Sequence, residues 1–232
     1  MASFQDKIDH YGLSAVSPLV VIENDDGASN EYNEYHSQDG SFVDHIVYGE
    51  KEEPSDTLEL TADWTVSADT VKLGAVTTVG GKKFALGEVS IETTAGELPS
   101  IAASGKQVQN AAETVRYYAI PATTVKNDET AQVLWDAFTL SGEGCHLQSA
   151  KYKASANIPT KDKNAFPLAF GVAEGAIECE AEIIQCGSTE PSLTPGTGWH
   201  VSDLPKSDNP DSDCPTWTAT LRYYLTKTVP NV

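Results

Sequence analysis

The chain has 232 residues and carries 15 Lys and Arg against 34 Asp and Glu, a net charge of −19. That length can bury a sizeable core in one large domain, and the acidic excess without any basic cluster argues against a phosphate-gripping surface and sequence-specific nucleic-acid binding. No apolar run approaches the ~20 residues of a membrane span, and the start MASFQDKIDHYG lacks the basic and apolar parts of a signal peptide, so a soluble cytoplasmic product is expected.

In chain order, Phe4–Leu13 is expected to form a short helix and Pro18–Ile22 a strand. Asn24–Gly40 is polar, with Asp25-Asp26-Gly27, Ser29-Asn30 and Asp39-Gly40, and reads as a long surface loop suited to interaction or assembly. Phe42–Tyr48 reads as a strand and Gly49–Ser55 as a charged turn. Residues 1–55 would then form an arm and loop region ahead of a β domain over 56–232.

From Asp56 the pattern changes to period two. In DTLELTADWTV, Leu58, Leu60, Ala62, Trp64 and Val66 alternate with Thr57, Glu59, Thr61, Asp63 and Thr65, as in a strand with one buried face. The organising centre is Val76–Gly105. Two β-type runs, Val76–Val79 and Lys83–Leu86, flank Gly80-Gly81, a pair suited to the positive φ angles of a tight hairpin. Beyond Gly87 the apolar residues move from even positions (Phe84, Leu86) to odd ones (Val89, Ile91), so a bulge is expected at Gly87-Glu88. A turn over Ala95–Pro99 then leads into a return strand at Ser100–Ser104.

In NDETAQVLWDAF, Ala131, Leu134, Trp135 and Phe138 fall at i, i+3, i+4 and i+7, which predicts one helix over 128–138, capped by Asn127 or Asp128 and stopped at Ser141–Gly144. Half-buried antiparallel strands are predicted at Lys151–Ile158, Ile177–Ile183 and Trp217–Leu225. Gly187–Pro215, rich in Pro, Gly, Ser, Thr and Asp, reads as a loop insertion anchored by Trp199. The fold class is mainly β: an antiparallel β-sandwich or small barrel with one flanking α-helix and long loops.

No chemistry stands out. Cys145, Cys179, Cys186 and Cys214 could make two disulfides, but without a secretory signal they are expected to be reduced, buried small hydrophobes. The C-x₂₋₄-C pairing of a zinc site is absent, and Cys145 and His146, as strand neighbours, point to opposite faces. Asp203, Asp208, Asp211 and Asp213 could gather calcium ligands, but they lack EF-hand spacing and read as a solvated loop. Gly80-Gly81-Lys82 and Gly196-Thr197-Gly198 are explained as turns rather than phosphate loops. The histidines His10, His36, His45, His146 and His200 are scattered, with no Ser-His-Asp order and no singled-out carboxylate pair, so no catalytic residue, metal or cofactor is expected. Tyr32, Tyr35 and Trp199 could form an exposed sugar platform, whereas Trp217 is explained as core.

The strands at Leu58–Val66, Val76–Leu86, Val89–Thr93, Lys151–Ile158, Ile177–Ile183 and Trp217–Leu225, with the helix at Asp128–Phe138 and the phrasing of IETTAGELPSIAASG and TLSGEGCHL, resemble tailed-bacteriophage virion structural proteins. Within that class they are most similar to tail tube proteins. The resemblance implies a virion protein made in the bacterial cytoplasm, with copies of itself as the main partner alongside other virion proteins. Rings of subunits would join their sheets into a barrel around a DNA channel, and the loops at Asn24–Gly40 and Gly187–Pro215 would make inter-subunit contacts. Glu59, Asp63, Glu88, Glu92, Glu178, Glu180 and Glu182 would then line the channel with charge that repels DNA; equally, these acids could face bulk water and keep the protein soluble. The alternatives are a capsid decoration or minor virion protein, and a monomeric carbohydrate-binding or adhesin-like β domain.

Overall fold

A computed structural model describes residues 7–108, 117–157, 173–204, 206–207 and 214–228. Its elements are β1 (Leu19–Asp25), β2 (Ala28–His36), β3 (Phe42–Glu52), β4 (Ser55–Leu60), β5 (Trp64–Val66), β6 (Val76–Val79), β7 (Lys82–Thr94), β8 (Ser100–Gln107) and β9 (Tyr117–Ala119). They continue with β10 (Thr123–Val125), β11 (Phe138–Ser141), β12 (Cys145–Asn157), β13 (Ala173–Gln185), β14 (Ser192–Pro195), β15 (Trp199–Asp203), β16 (Lys206–Ser207), β17 (Thr216–Tyr224) and β18 (Thr226–Thr228). The fold is mainly β and antiparallel, and no helix occurs among the described residues.

Ten strands make one sheet in the order β1-β4-β8-β7-β12-β13-β17-β15, with β6 added on β7 and β16 on β17. The period-two pattern sets its sidedness. Leu58, Val89, Ile91, Ile101, Tyr152, Ile177, Ile183 and Leu221 are buried on one face, each contributing roughly 1.5–3 kcal/mol of burial. Short two-stranded pieces join that core: β5 with β10, β11 with β14, and β9 with β18, which supply Trp64, Val66, Val125 and Phe138 to the same apolar cluster.

The organising hairpin forms as expected, with Gly80 and Gly81 at φ 58° and 81° between β6 and β7. The bulge also falls where the apolar residues switch parity, because the β7–β8 register shifts between Leu86 and Glu88.

Several expectations are corrected. Residues 128–138 are not a helix. The Gln132 amide donates to the Thr93 hydroxyl at 3.0 Å, Leu134 to the Tyr152 hydroxyl at 3.0 Å and Trp135 to the Thr123 hydroxyl at 3.0 Å. Trp135 and Asp136 take φ 53° and 47°, outside the helical region. Tertiary partners thus take up the amides that a short helix would have turned inward.

The N-terminal helix is likewise absent over 7–13; residues 1–6 lie outside the described residues. The Asp9 carboxylate instead accepts from the amides of Tyr11, Gly12, Leu13 and Ser14 and folds the segment into a loop. DTLELTADWTV is two strands. Ala62 is exposed, the Thr61 amide donates to the Pro18 carbonyl at 2.8 Å, and β5 leaves the large sheet to pair with β10.

The stretch expected to be a loop over Asn24–Gly40 contains the end of β1 and all of β2, which pairs with β3 around a tight turn in which the Ser37 amide donates to the Ser41 carbonyl at 2.8 Å and the Gly40 amide to the Ser37 carbonyl at 2.9 Å. Strand β3 also runs through most of the expected charged turn at Gly49–Ser55. Gly187–Pro215 contributes β14, β15 and β16 rather than a plain insertion.

Candidate functional site

The face of the ten-stranded sheet opposite the core carries most of the acids singled out from the sequence. Cross-strand register builds it rung by rung. Glu92 faces Lys151, Lys151 faces Glu180, and Glu180 faces Thr220; one rung along, Ser90 faces Lys153, Lys153 faces Glu178, and Glu178 faces Arg222. Glu88 and Glu182 lie on the flanking rungs, and Glu59 is exposed on β4.

Three of these acids are paired across strands: Glu88 with Lys153 at 2.7 Å, Glu92 with Lys151 at 3.5 Å, and Glu178 with Arg222 at 3.6 Å. Among the described residues no cation pairs with Glu59, Glu180 or Glu182; Glu182 accepts from the Ser149 hydroxyl at 3.4 Å. The face is therefore a charge lattice with an acidic surplus rather than a uniform negative surface. These exposed pairs contribute at most about 1 kcal/mol each to stability.

Asp63 does not join this face. It sits in the bend between β4 and β5, where it accepts from the Lys126 ammonium at 2.7 Å and the Asn127 amide at 3.0 Å, contacts that hold its carboxyl below the ordinary range. Its task there is to fasten the chain leading out of β10.

A cleft of about 440 Å³ opens on the polar face beside the β7 bulge, bordered by Glu88, Ser104, Lys106, Lys153, Asn157 and Arg222. Its walls are paired charges and amides. No group of three or more His, Cys, Asp or Glu with metal-binding geometry occurs among the described residues. Asp203 is exposed at the end of β15, and its carboxylate accepts from the Leu204 amide at 2.8 Å; Asp208, Asp211 and Asp213 lie outside the described residues.

The cysteines correct one expectation. Cys186 and Cys214 form a disulfide with Cα atoms 4.6 Å apart, while Cys145 and Cys179 are free. The sheet imposes that proximity, since β13 ends and β17 begins side by side, with the Gln185 amide donating to the Pro215 carbonyl at 3.0 Å. Cys145 is half-buried and His146 exposed, on opposite faces of β12 as expected of strand neighbours.

The sugar-platform reading loses its tryptophan. Trp199 is buried against Tyr223, with ring centroids 5.6 Å apart, and Trp217 is buried with its indole N–H donating to Gln185 at 2.9 Å. The side chains of Tyr32 and Tyr35 lie outside the described residues.

One cluster had no counterpart in the sequence reading. His10 and Asp56 are both buried, at 3% and 1% exposure. The His10 amide donates to Asp56 Oδ2 at 2.9 Å, and Nδ1 lies 2.6 Å from Asp56 Oδ1. Nε2 lies 3.4 Å from Asp26 Oδ1. Burial raises the Asp56 carboxyl above its ordinary range, opposed by the hydrogen bonds from His10. The sequence did hold one signal for this site: Asp56 shares the inward parity of Leu58 and Leu60 in DTLEL.

No family model, curated protein or solved structure matches this chain.

Proposed function

We propose that the protein is a non-enzymatic, self-assembling structural subunit, and that its assembly is the tube-forming type that the sequence resembles, a bacteriophage tail tube. The observation that carries this reading is the pairing of a charged sheet face with two sheet edges, neither covered by a further strand among the described residues. Among the described residues, β1 at one end of the ten-stranded order pairs only with β4, and β15 at the other pairs only with β17. Each edge carries a partly exposed aliphatic residue, Ile22 on β1 and Val201 on β15, both 38% exposed. Unpaired strand edges of this kind join copies of a chain unless they are blocked.

In a closed ring the polar face would line the lumen. Glu59, Glu180 and Glu182, unpaired by described cations, would face DNA there, and the cross-strand ion pairs would keep the wall from gripping phosphate. Joined end to end, the sheets would make a barrel, with the short strand pairs packed outside it in the manner of a sandwich. The β2–β3 hairpin, which forms its own two-stranded sheet, would reach a neighbouring subunit.

The test uses Ile22→Lys and Val201→Lys, which charge the edges without touching the core. Sedimentation velocity across concentration should show wild-type assembly growing with concentration and both variants remaining at the chain mass of 24.8 kDa. Wild-type protein that stays monomeric throughout, or variants that assemble as wild type, would overturn the edge-joining reading.

A further inference from the structure

We propose that His10 is a protonation-dependent latch that fastens the base of the β2–β3 hairpin to the large sheet. Both ring nitrogens face carboxylate oxygens: Nδ1 meets Asp56 at 2.6 Å and Nε2 meets Asp26 at 3.4 Å. An ionised carboxylate only accepts, so Nδ1 can donate to Asp56 only while it carries a proton, and the Nε2–Asp26 contact is an ion pair only when both nitrogens are protonated, that is, in the imidazolium. A neutral ring keeps one N–H and turns a lone pair toward the other carboxylate. The shorter, buried contact to Asp56 retains the proton, and the longer contact to Asp26, whose side chain is 62% exposed, is the one that opens.

Asp26 stands in the turn between β1 and β2, so releasing it frees one strand of the hairpin base. The base has other fastenings as well, among them the ion pair of Lys106 on β8 with Glu53 at 3.4 Å. The Glu53 amide donates to the Gly27 carbonyl at 3.3 Å, and Lys82 on β7 pairs with Glu52 at the end of β3.

The charged groups around the ring are Asp56 from β4, Asp26 from the turn, and Glu52 and Lys82 across a cavity of about 210 Å³ that His10 also lines. Asp9, on the same segment, adds negative potential at Asp56. Tyr11 turns its hydroxyl away to the Pro54 carbonyl, and the Phe84 ring packs edge-on at 5.2 Å. Since Glu52 and Lys82 neutralise one another, His10 is left between two carboxylates. The latch closes on protonation and opens as pH rises. This holds whatever the hairpin contacts, so it stands apart from the assembly reading.

The experiment is hydrogen exchange of the Ala28–Glu52 backbone in the full chain, normalised to intrinsic rates, from about pH 5 to about pH 8, the range in which histidine changes charge. Protection at the hairpin base should fall about two- to fivefold on raising the pH, the scale of a partly exposed ion pair. Asp26→Ala, at an exposed position, should abolish that dependence while leaving protection of β12 and β13 intact. Nitrogen NMR of His10 should show two N–H groups at the acid end. A pH-independent hairpin, an Asp26→Ala variant that keeps the response, or a His10 ring with one N–H at the acid end would each overturn the latch.

Discussion

The indole N–H of Trp199 donates to the main-chain carbonyl of Trp135 at 3.1 Å, in a buried contact between residues 64 positions apart. Trp135 in turn donates its own indole N–H to the Pro121 carbonyl at 2.7 Å and packs edge-on against Tyr152 at 5.6 Å. The segment around Trp135, which has no regular structure, is thereby pinned onto the apolar face of the sheet.

Truncating either tryptophan should accordingly be among the costliest changes in the molecule. Trp135→Ala should lose about 3–5 kcal/mol in urea unfolding. Trp199→Phe keeps most of the ring but leaves the Trp135 carbonyl unsatisfied, and should lose about 1–3 kcal/mol. A loss below ~0.5 kcal/mol for Trp135→Ala would show that residues 128–138 do not plug the core.

The Cys186–Cys214 bridge closes a loop that includes β14, β15 and β16. Reducing it, or replacing both cysteines with serine, should cost about 3 kcal/mol and lower the melting temperature. Thiol counting offers a second readout. Half-buried Cys145 should react in the native protein and Cys179, fully buried on β13, only on unfolding, with the remaining two thiols appearing after reduction. Four thiols reacting in the unreduced, unfolded chain would contradict the bridge.

Stability should decline on the alkaline side. Burial pushes the Cys179 thiol up to about 12 and raises the Tyr11 and Tyr152 phenols above the ordinary tyrosine range, with Asp56 and Glu53 adding to the shift at Tyr11. Groups that hold protons more tightly in the fold than in the unfolded chain contribute fully below their unfolded values and lose that contribution as pH rises through the folded ones. An unfolded thiol ionises from about 8.5. Unfolding free energies should therefore fall continuously above that pH, and Cys179→Ala should flatten the first part of the decline. A profile level between about pH 8.5 and 11 would contradict this.

Two glycines should behave differently. A Cβ on Gly105 would lie 2.0 Å from the Ala85 carbonyl oxygen across the β7–β8 ladder, whereas one on Gly80 meets open space and suffers only from φ 58°. Gly105→Ala should cost about 3 kcal/mol, through forced separation of the strands. Gly80→Ala should cost about 1 kcal/mol. Equal losses by chemical denaturation would contradict the crowding at Gly105.

The parts of the fold legible in the sequence are those where one local rule decides. Gly80-Gly81 permits the hairpin, the parity switch between Leu86 and Val89 requires the bulge, and alternation marks β17, the Ile177–Ile183 part of β13 and the part of β12 from Lys151, but not the start of β12 at Cys145, where the register shifts between Leu147 and Ser149. Ile158 lies outside the described residues. Other elements escaped because distant partners decide them. The helical spacing of Ala131, Leu134, Trp135 and Phe138 is real, but Thr93, Tyr152 and Thr123 compete for the amides of Gln132, Leu134 and Trp135. Phe42–Tyr48 reads as a strand and lies in β3, but in β2 register shifts at Asn30/Tyr32 and Tyr35/His36 break the alternation that would have revealed the partner strand. The disulfide depends on the β13–β17 register, which residue spacing does not disclose. Of the acids singled out, six fall on the sheet strands because parity places them there, and Asp63 was lost with the break at Thr61–Asp63. The His10–Asp56 contact joins residues 46 apart and left only the inward parity of Asp56 as a trace.

The carboxylates on the polar face without described cations offer a test of its role. Glu180→Gln combined with Glu182→Gln should leave stability within about 0.5 kcal/mol of wild type. If that face lines a lumen, the assembled double variant should retain added double-stranded DNA more strongly than wild type in co-sedimentation at low salt. Identical retention would remove these acids from the channel wall.

Electron microscopy of negatively stained protein, taken from samples whose mass is followed by light scattering across concentration, addresses self-assembly most directly. Rings or tubes with an open lumen, growing with concentration, are the expected result. A persistent particle of 24.8 kDa at every concentration would contradict it.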